Sequence, residues 1–405
     1  MTAAKTATTF ILLFVGFVFA APGKGRPQRR DPEASVEGRA EEQAPTSHEL
    51  YESGRLQFSA PPPTVVQTGV QCDANGNIYL VYGASFEATY VAIRNGVSLP
   101  VSKISPDAKS VVQFPIGQVQ GYAEYHRMSY YVDPYGKVYA LLTALPHERD
   151  YKGPNWADSL VVKYKDDGTV DSVVKLDEAS RGEHFDAWTF GIFANGSFLV
   201  TGAELSEKHA PTKPFTAVFD RQGTFVAPLS LAHDVRPSSL KRPTRPSNSR
   251  RLSQTPQAEA SGGSPANEGR NWVVDVQQGL MTGSVDGNLY LLRASTPARV
   301  YVITPAGSVL SELEVKPPEL DMRPVQMSLA GQSNLLIEFS HDRSSGQSET
   351  RQSLALLDLG TGKITDTYRL PADAGICACA ASRNEFLFLD TSKDNQLEVV
   401  KFAAR

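Results

Sequence analysis

The chain has 405 residues, a formal net charge of -4, 41% hydrophobic and 21% charged residues, with 31 Gly, 27 Pro and 3 Cys. This composition excludes wholesale disorder, a collagen-like repeat and a disulfide-stapled mini-protein, and it supplies apolar side chains for a large core. Length alone suggests two or three domains, but the bias toward Gly, Pro, Val, Tyr and Phe favours a single large all-β unit.

Phe10 to Ala20 is an apolar run behind Lys5, too short for a roughly 30 Å hydrocarbon layer, and Val18 and Ala20 are the small residues a signal peptidase reads. The expectation is a signal peptide over residues 1–20 and a secreted protein, periplasmic or extracellular; Lys24, Arg26, Arg29 and Arg30 leave an uncleaved anchor as the alternative. Nothing beyond it approaches a second span, so no integral membrane span is expected after cleavage. Residues 21–49 are Pro, Glu, Arg and Ser with almost no apolar side chains, and are expected to be a disordered leader.

From about residue 50 the apolar pattern has period two, in short runs bounded by turn signals. Asp73-Ala74-Asn75-Gly76-Asn77 precedes Ile78 to Tyr82, and Asp133-Pro134-Tyr135-Gly136-Lys137 precedes Val138 to Leu142. Equivalent turns stand at Ala194 to Ser197, Asp286 to Asn288, Gln332 to Asn334 and Ser382 to Asn384, which makes a repeat of six. A second hairpin follows each of the first five, for example Leu160 to Tyr164 turning at Asp166-Asp167-Gly168 into Val170 to Leu176. Each unit thus reads as a four-stranded antiparallel meander. One such sheet cannot bury both of its faces, and radial stacking gives an all-β, six-bladed β-propeller. After the sixth turn only Leu397 to Phe402 remains, so the last blade lacks its outer strand. The N-terminal segment Ser53 to Pro61 resembles the other outer strands and is expected to supply it, closing the ring.

The single propeller domain, residues 50–405, is interrupted at 234–270 by five prolines, seven serines and Gly262-Gly263, expected to be a disordered insertion. Arg236, Lys241, Arg242, Arg245, Arg250, Arg251 and Arg270 against Asp234, Glu259 and Glu268 give it +4, and leave the rest of the propeller at -8.

The Asp-x-x-Gly-Asn-Ile-Tyr segment at Asp73 to Tyr79, its echo at Asp133 to Tyr139 and second hairpins such as Val161 to Gly168 resemble the NHL-repeat and related six-bladed propellers. The resemblance covers about residue 50 to 405 outside the insertion. The connections between second and third strands, such as Thr143 to Asp158, are longer than the short Asp-x-x-Asn-x-Arg turn usual in NHL repeats. The resemblance implies lactonase-like or lyase-like enzymes as well as plain binding platforms, so it does not fix function. The metal-ligand pattern of the gluconolactonase-like group and the repeated motifs of the streptogramin lyases are missing.

In such a ring the second-to-third-strand and inter-blade connections share one face, where binding residues collect. That assignment gathers His126, His184 and His233 with His147, His209 and His341, leaving His48 in the leader. Tyr125, Arg127, Arg149, Trp156, Asp186 and Trp188 join them, a mixture of rings and charges suited to a peptide, glycan or small polar ligand. His184-x-Asp186 places two potential ligands together, but no second pair has zinc-like spacing, so no metal site is assigned. The Asp73 to Asn77 segment reads as a hairpin turn rather than a calcium loop, and Asn195-Gly196-Ser197 reads first as a turn although it is a glycosylation sequon. No Gly-x-Ser-x-Gly, phosphate loop or His-Glu-x-x-His occurs. Cys72 ends the innermost strand of the first blade, and Cys377 and Cys379 lie on that of the last; a bond from Cys72 to either would staple the closing ring.

The expected function is therefore a secreted, monomeric, non-enzymatic propeller that binds a protein, glycan or small-molecule ligand on the histidine-rich face. No cofactor and no nucleic-acid partner are expected. The alternative is a metal-dependent lactonase-like hydrolase or lyase, with a divalent cation at the channel mouth. A third reading docks the basic insertion on an acidic surface.

Overall fold

A computed structural model of the chain describes residues 44–405 apart from 58–64, 84–98, 118, 148–156, 178–183, 208–209, 232–275, 277–279, 285, 295–296, 320, 332, 342–351, 372–373 and 393–395. The expected signal, residues 21–43 of the expected leader and the 234–270 insertion lie outside the described residues.

The first strand, β1 (Thr46–Gln57), stands ahead of four antiparallel sheets. The first is β2 (Val65–Cys72), β3 (Ile78–Gly83), β4 (Val101–Ile104) and β5 (Val111–Phe114), and the second is β6 (Tyr122–Val132), β7 (Val138–Pro146), β8 (Asp158–Tyr164) and β9 (Val170–Lys175). The third is β10 (Phe185–Ile192), β11 (Phe198–Leu205), β12 (Pro211–Phe219) and β13 (Phe225–Pro228), and the fourth is β14 (Leu280–Gly283), β15 (Leu289–Arg293), β16 (Ala298–Ile303) and β17 (Val309–Val315). Then come β18 (Met322–Ala330), β19 (Asn334–His341), β20 (Gln352–Asp358), β21 (Lys363–Arg369), β22 (Ile376–Ser382), β23 (Glu385–Thr391) and β24 (Leu397–Ala404). The arrangement is propeller-like: the first strands touch in cyclic order, β2 to β6, β10, β14, β18, β22 and back to β2.

Burial follows position within a sheet. Second strands such as β11 are buried along nearly their whole length because a neighbouring sheet covers each face, whereas the outer strand β17 alternates toward solvent. The turns are built by aspartate: Asp133 Oδ1 accepts from the Tyr135 and Lys137 amides, both at 2.9 Å, and Asp220 does the same for Gln222 and Thr224. Their glycines are needed twice over. Gly168 and Gly223 have φ of 87° and 86°, and a Cβ would stand 2.1 and 2.0 Å from the Gln113 and Lys175 carbonyls of the preceding sheet.

Where the sequence predicts six separate four-stranded sheets, hydrogen bonding gives four, together with one eight-stranded sheet in the order β18-β19-β20-β21-β1-β24-β23-β22. The cause is β1. Thr46–Glu49 pair in parallel with Asp366–Arg369 of β21, and Leu50–Gln57 pair antiparallel with β24. The predicted closing strand at Ser53 to Pro61 thus begins too late, and residues 46–49 of the expected leader are strand. Leu50 is buried with Tyr368, Phe386 and Phe402. His48 stacks on Tyr368, with centroids 5.2 Å apart, and sits 3.2 Å from Asp366 Oδ1. Arg55 reaches Glu52, Asp390 and Glu398. Burial opposes ionisation of Asp366, but hydrogen bonds from Thr365, Arg383 and His48 outweigh it and hold its pKa below the usual carboxylate range.

At the inner end, Cys72 of β2 and Cys379 of β22 are joined by a disulfide with Cα atoms 5.9 Å apart, and Cys377 is a buried free thiol. A polar seam lies beside it. Gln326 Nε2 of β18 donates to the Cys377 carbonyl at 2.6 Å, and the Cys377 amide donates to the Glu338 carboxylate of β19. Glu338 is 3% exposed and its Oε2 has no hydrogen-bond partner. Burial pushes its pKa up to about 8 and also raises that of the Cys377 thiol.

Peptide mapping without reductant should link the Cys72 and Cys379 peptides, with Cys377 alkylated only on unfolding; three freely alkylated thiols in native protein would contradict the pairing. Replacing Cys72 and Cys379 together by Ala should cost about 2–5 kcal/mol in denaturant unfolding. Because the folded carboxyl of Glu338 holds a proton that the unfolded chain releases, stability should fall as pH rises from 4.5 toward 8. Glu338→Gln should flatten that slope and stabilise the protein by roughly 1–3 kcal/mol at pH 8; equal slopes for the two proteins would refute it.

Candidate functional site

Each four-strand unit starts on its innermost strand, so the N-terminal ends of β6, β10, β18 and β22 share one end of the channel. This is the face on which the sequence places its binding residues. A register break recurs on these strands, between Arg127 and Ser129, Ala187 and Thr189, Pro324 and Gln326, and Cys377 and Cys379. The extra residues are Met128, Trp188, Val325 and Ala378, and they mark a common level. Side chains repeat every two residues along a strand, so the equivalent positions one step nearer the rim are His126, Asp186, Arg323 and Ile376.

The predicted residues divide sharply by environment. His126 is exposed on β6, and Asp186 is half-buried on the neighbouring β10. Asp186 Oδ2 accepts from Trp188 Nε1 at 2.9 Å, and burial raises its pKa, with the indole hydrogen bond opposing. Trp188 itself is only 5% exposed and packs with Ala203 and Val276. It is therefore a support for Asp186 rather than a platform for a ligand. Arg127 is turned into the structure: its guanidinium donates to the Leu99 carbonyl of the adjoining unit, and burial lowers its pKa. Tyr125 donates through its hydroxyl to the Gly117 carbonyl at 2.9 Å.

His147 and His184 are exposed, following β7 and preceding β10. His341 ends β19, with Nε2 3.2 Å from Glu319. Arg149, Trp156, His209 and His233 lie outside the described residues. His48 belongs to β1 and the ring closure rather than to a leader. The structure thus aligns His126 with Asp186, ties Arg127 and Trp188 into the scaffold, and leaves His147 and His184 on flanking segments.

Sequence reasoning missed Arg323, which is exposed on β18 at the level of Asp186, and three large apolar side chains on innermost strands. Met128, Val325 and Ile376 are 40%, 49% and 40% exposed, high values for residues of that size beside a packed core. Only the register break reveals that Met128 and Val325 are equivalent and that Ile376 stands at the level of Asp186, and such a break has no sequence signature. The rim so defined offers a half-buried carboxylate, an imidazole and a guanidinium beside apolar surface. Among the described residues no three His, Cys, Asp or Glu side chains are grouped to hold a metal ion, and no helix is long and apolar enough to cross a membrane.

No protein-family model and no curated protein matches the chain. Among solved structures it is similar to a protein of unknown function from Bacteroides caccae, with 11% sequence identity over 74% of this chain and 84% of that one and a TM-score of 0.37.

Proposed function

We propose that the chain is a six-bladed propeller of the NHL-like kind, exported from the cell, which binds a small polar ligand or the end of a glycan or peptide at the rim of its channel. Six innermost strands in cyclic contact support the blade count, with the eight-stranded sheet taken as two blades joined through β1. The apolar run Phe10 to Ala20 and the Cys72–Cys379 disulfide support export, since such bonds persist in oxidising compartments.

The observation that carries the binding reading is Asp186. A carboxylate half-withdrawn from water, oriented by an indole N–H and level with His126 and Arg323, is set to accept hydroxyl or amine donors from a ligand. Met128 of the neighbouring β6 and Val325 of β18 add exposed apolar surface to the same rim. Polar groups held in place by strands suit a small ligand.

Thermal-shift screening of the intact protein against monosaccharides, oligosaccharides and short peptides should yield ligands whose affinity falls about tenfold or more in Asp186→Asn, the loss of a charged hydrogen bond. Asparagine keeps an acceptor for Trp188, so the unliganded melting temperature should hold. Ligands bound equally well by Asp186→Asn and His126→Ala would contradict this site. A stoichiometric divalent ion retained through dialysis would favour the metal-dependent lactonase-like hydrolase or lyase instead.

A further inference from the structure

The opposite end of the channel, where first strands turn into second strands, holds a cavity of about 400 Å³. That lies within the roughly 300–1,000 Å³ usual for small-molecule pockets. Much of its wall is turn backbone and small residues, including Gly76, Gly283 and Ala380, with Leu329 and Leu387 as apolar patches. Three charged residues border it: Asp73, whose carboxylate accepts hydrogen bonds from Asn75, Asn77 and Tyr79, and the opposite charges Glu385 of β23 and Lys401 of β24.

Those charges are placed unusually. Glu385 is opposite Ala403 and Leu387 is opposite Lys401, so Glu385 and Lys401 are diagonal neighbours on one face of the sheet. Diagonal neighbours are within reach of long side chains. Elsewhere in the ring such pairs close: Lys175 meets Asp158 at 2.8 Å, and Arg299 meets Glu312. Glu385 and Lys401 are both half-buried, yet among the described residues neither side chain forms an ion pair. Both line the cavity.

We propose that this cavity binds a small zwitterion of the amino-acid or dipeptide class, with its carboxylate on Lys401 Nζ, its ammonium on the Glu385 carboxylate, and an apolar side chain against Leu387 and Leu329. With Asp73 engaged by its own turn, the groups left for a ligand are one charge of each sign; a lone anion or a lone cation leaves one of them uncompensated, whereas a zwitterion satisfies both. The site is on the far face from the Asp186 rim and does not depend on that reading.

The test is isothermal titration of the full chain with L-leucine and L-leucyl-L-leucine as probes. At least one should bind. Blocking its amine by acetylation or its carboxylate by amidation should weaken it about tenfold or more, as should Glu385→Gln and Lys401→Gln. Asp186→Asn should leave the affinity unchanged. The expected cycle is non-additive: acetylation should cost little further in Glu385→Gln, and amidation little further in Lys401→Gln. If either variant fails to fold, the blocked probes on the unaltered protein still decide the matter. No binding of either zwitterion at about 10 mM, or affinity indifferent to both blocking groups, would overturn the proposal.

Discussion

One strand holds the two ends of this chain together. β1 pairs in parallel with β21 through Thr46–Glu49 and antiparallel with β24 through Leu50–Gln57, so it belongs to both halves of an eight-stranded sheet. Without it, β21 and β24 would both be open edges, and β-edges are liabilities. The contacts securing it are of two kinds. Leu50 enters the Tyr368, Phe386 and Phe402 cluster, while His48 and Arg55 reach Asp366, Asp390 and Glu398. The disulfide closes the same seam from inside, across a sequence separation of 307 residues. In the chain-entropy view, a cross-link over so long a loop removes about 5–6 kcal/mol worth of freedom from the unfolded chain. The ring is thus tied at its rim by a strand and at its channel by a covalent bond.

Closure matters for function because the candidate groups are carried on the innermost strands. His126, Asp186 and Arg323 sit at equivalent positions before the extra residues Met128, Trp188 and Val325. Their relative placement is therefore set by neighbouring strands packed into a ring. Trp188 illustrates the support: buried against Ala203 and Val276, it presents one indole N–H to Asp186. The far end of the channel follows the same logic with turns in place of bulges. There the short hairpins leave room, and Glu385 and Lys401 line it without pairing with each other.

Much of the architecture is legible in the sequence because its signals are local. Asp133 to Lys137 announces a turn since its aspartate caps two amides and its glycine takes a positive φ, and alternation around it announces strands. The antiparallel half of β1 could be read from its likeness to other outer strands. The parallel half could not, because Thr46-Ser47-His48-Glu49 is polar and pairs through backbone and through Asp366. Among the candidate residues, chain order alone puts His126 and Asp186 on neighbouring innermost strands. Arg127 and Trp188 were misread as rim groups because burial is a tertiary property: one is spent on the Leu99 carbonyl and the other on a core contact. Arg323, Glu385 and Lys401 escaped notice because surface strands carry such charges everywhere, and their meaning lies in where neighbouring strands place them.

Amide hydrogen exchange across residues 46–57, followed together with Lys363–Arg369 and Leu397–Ala404, tests the closure most directly. If β1 joins the two halves, its amides should be protected to the level of β24, and all three segments should lose protection together as denaturant is raised. Fast exchange throughout residues 46–57, with β24 still protected, would contradict it.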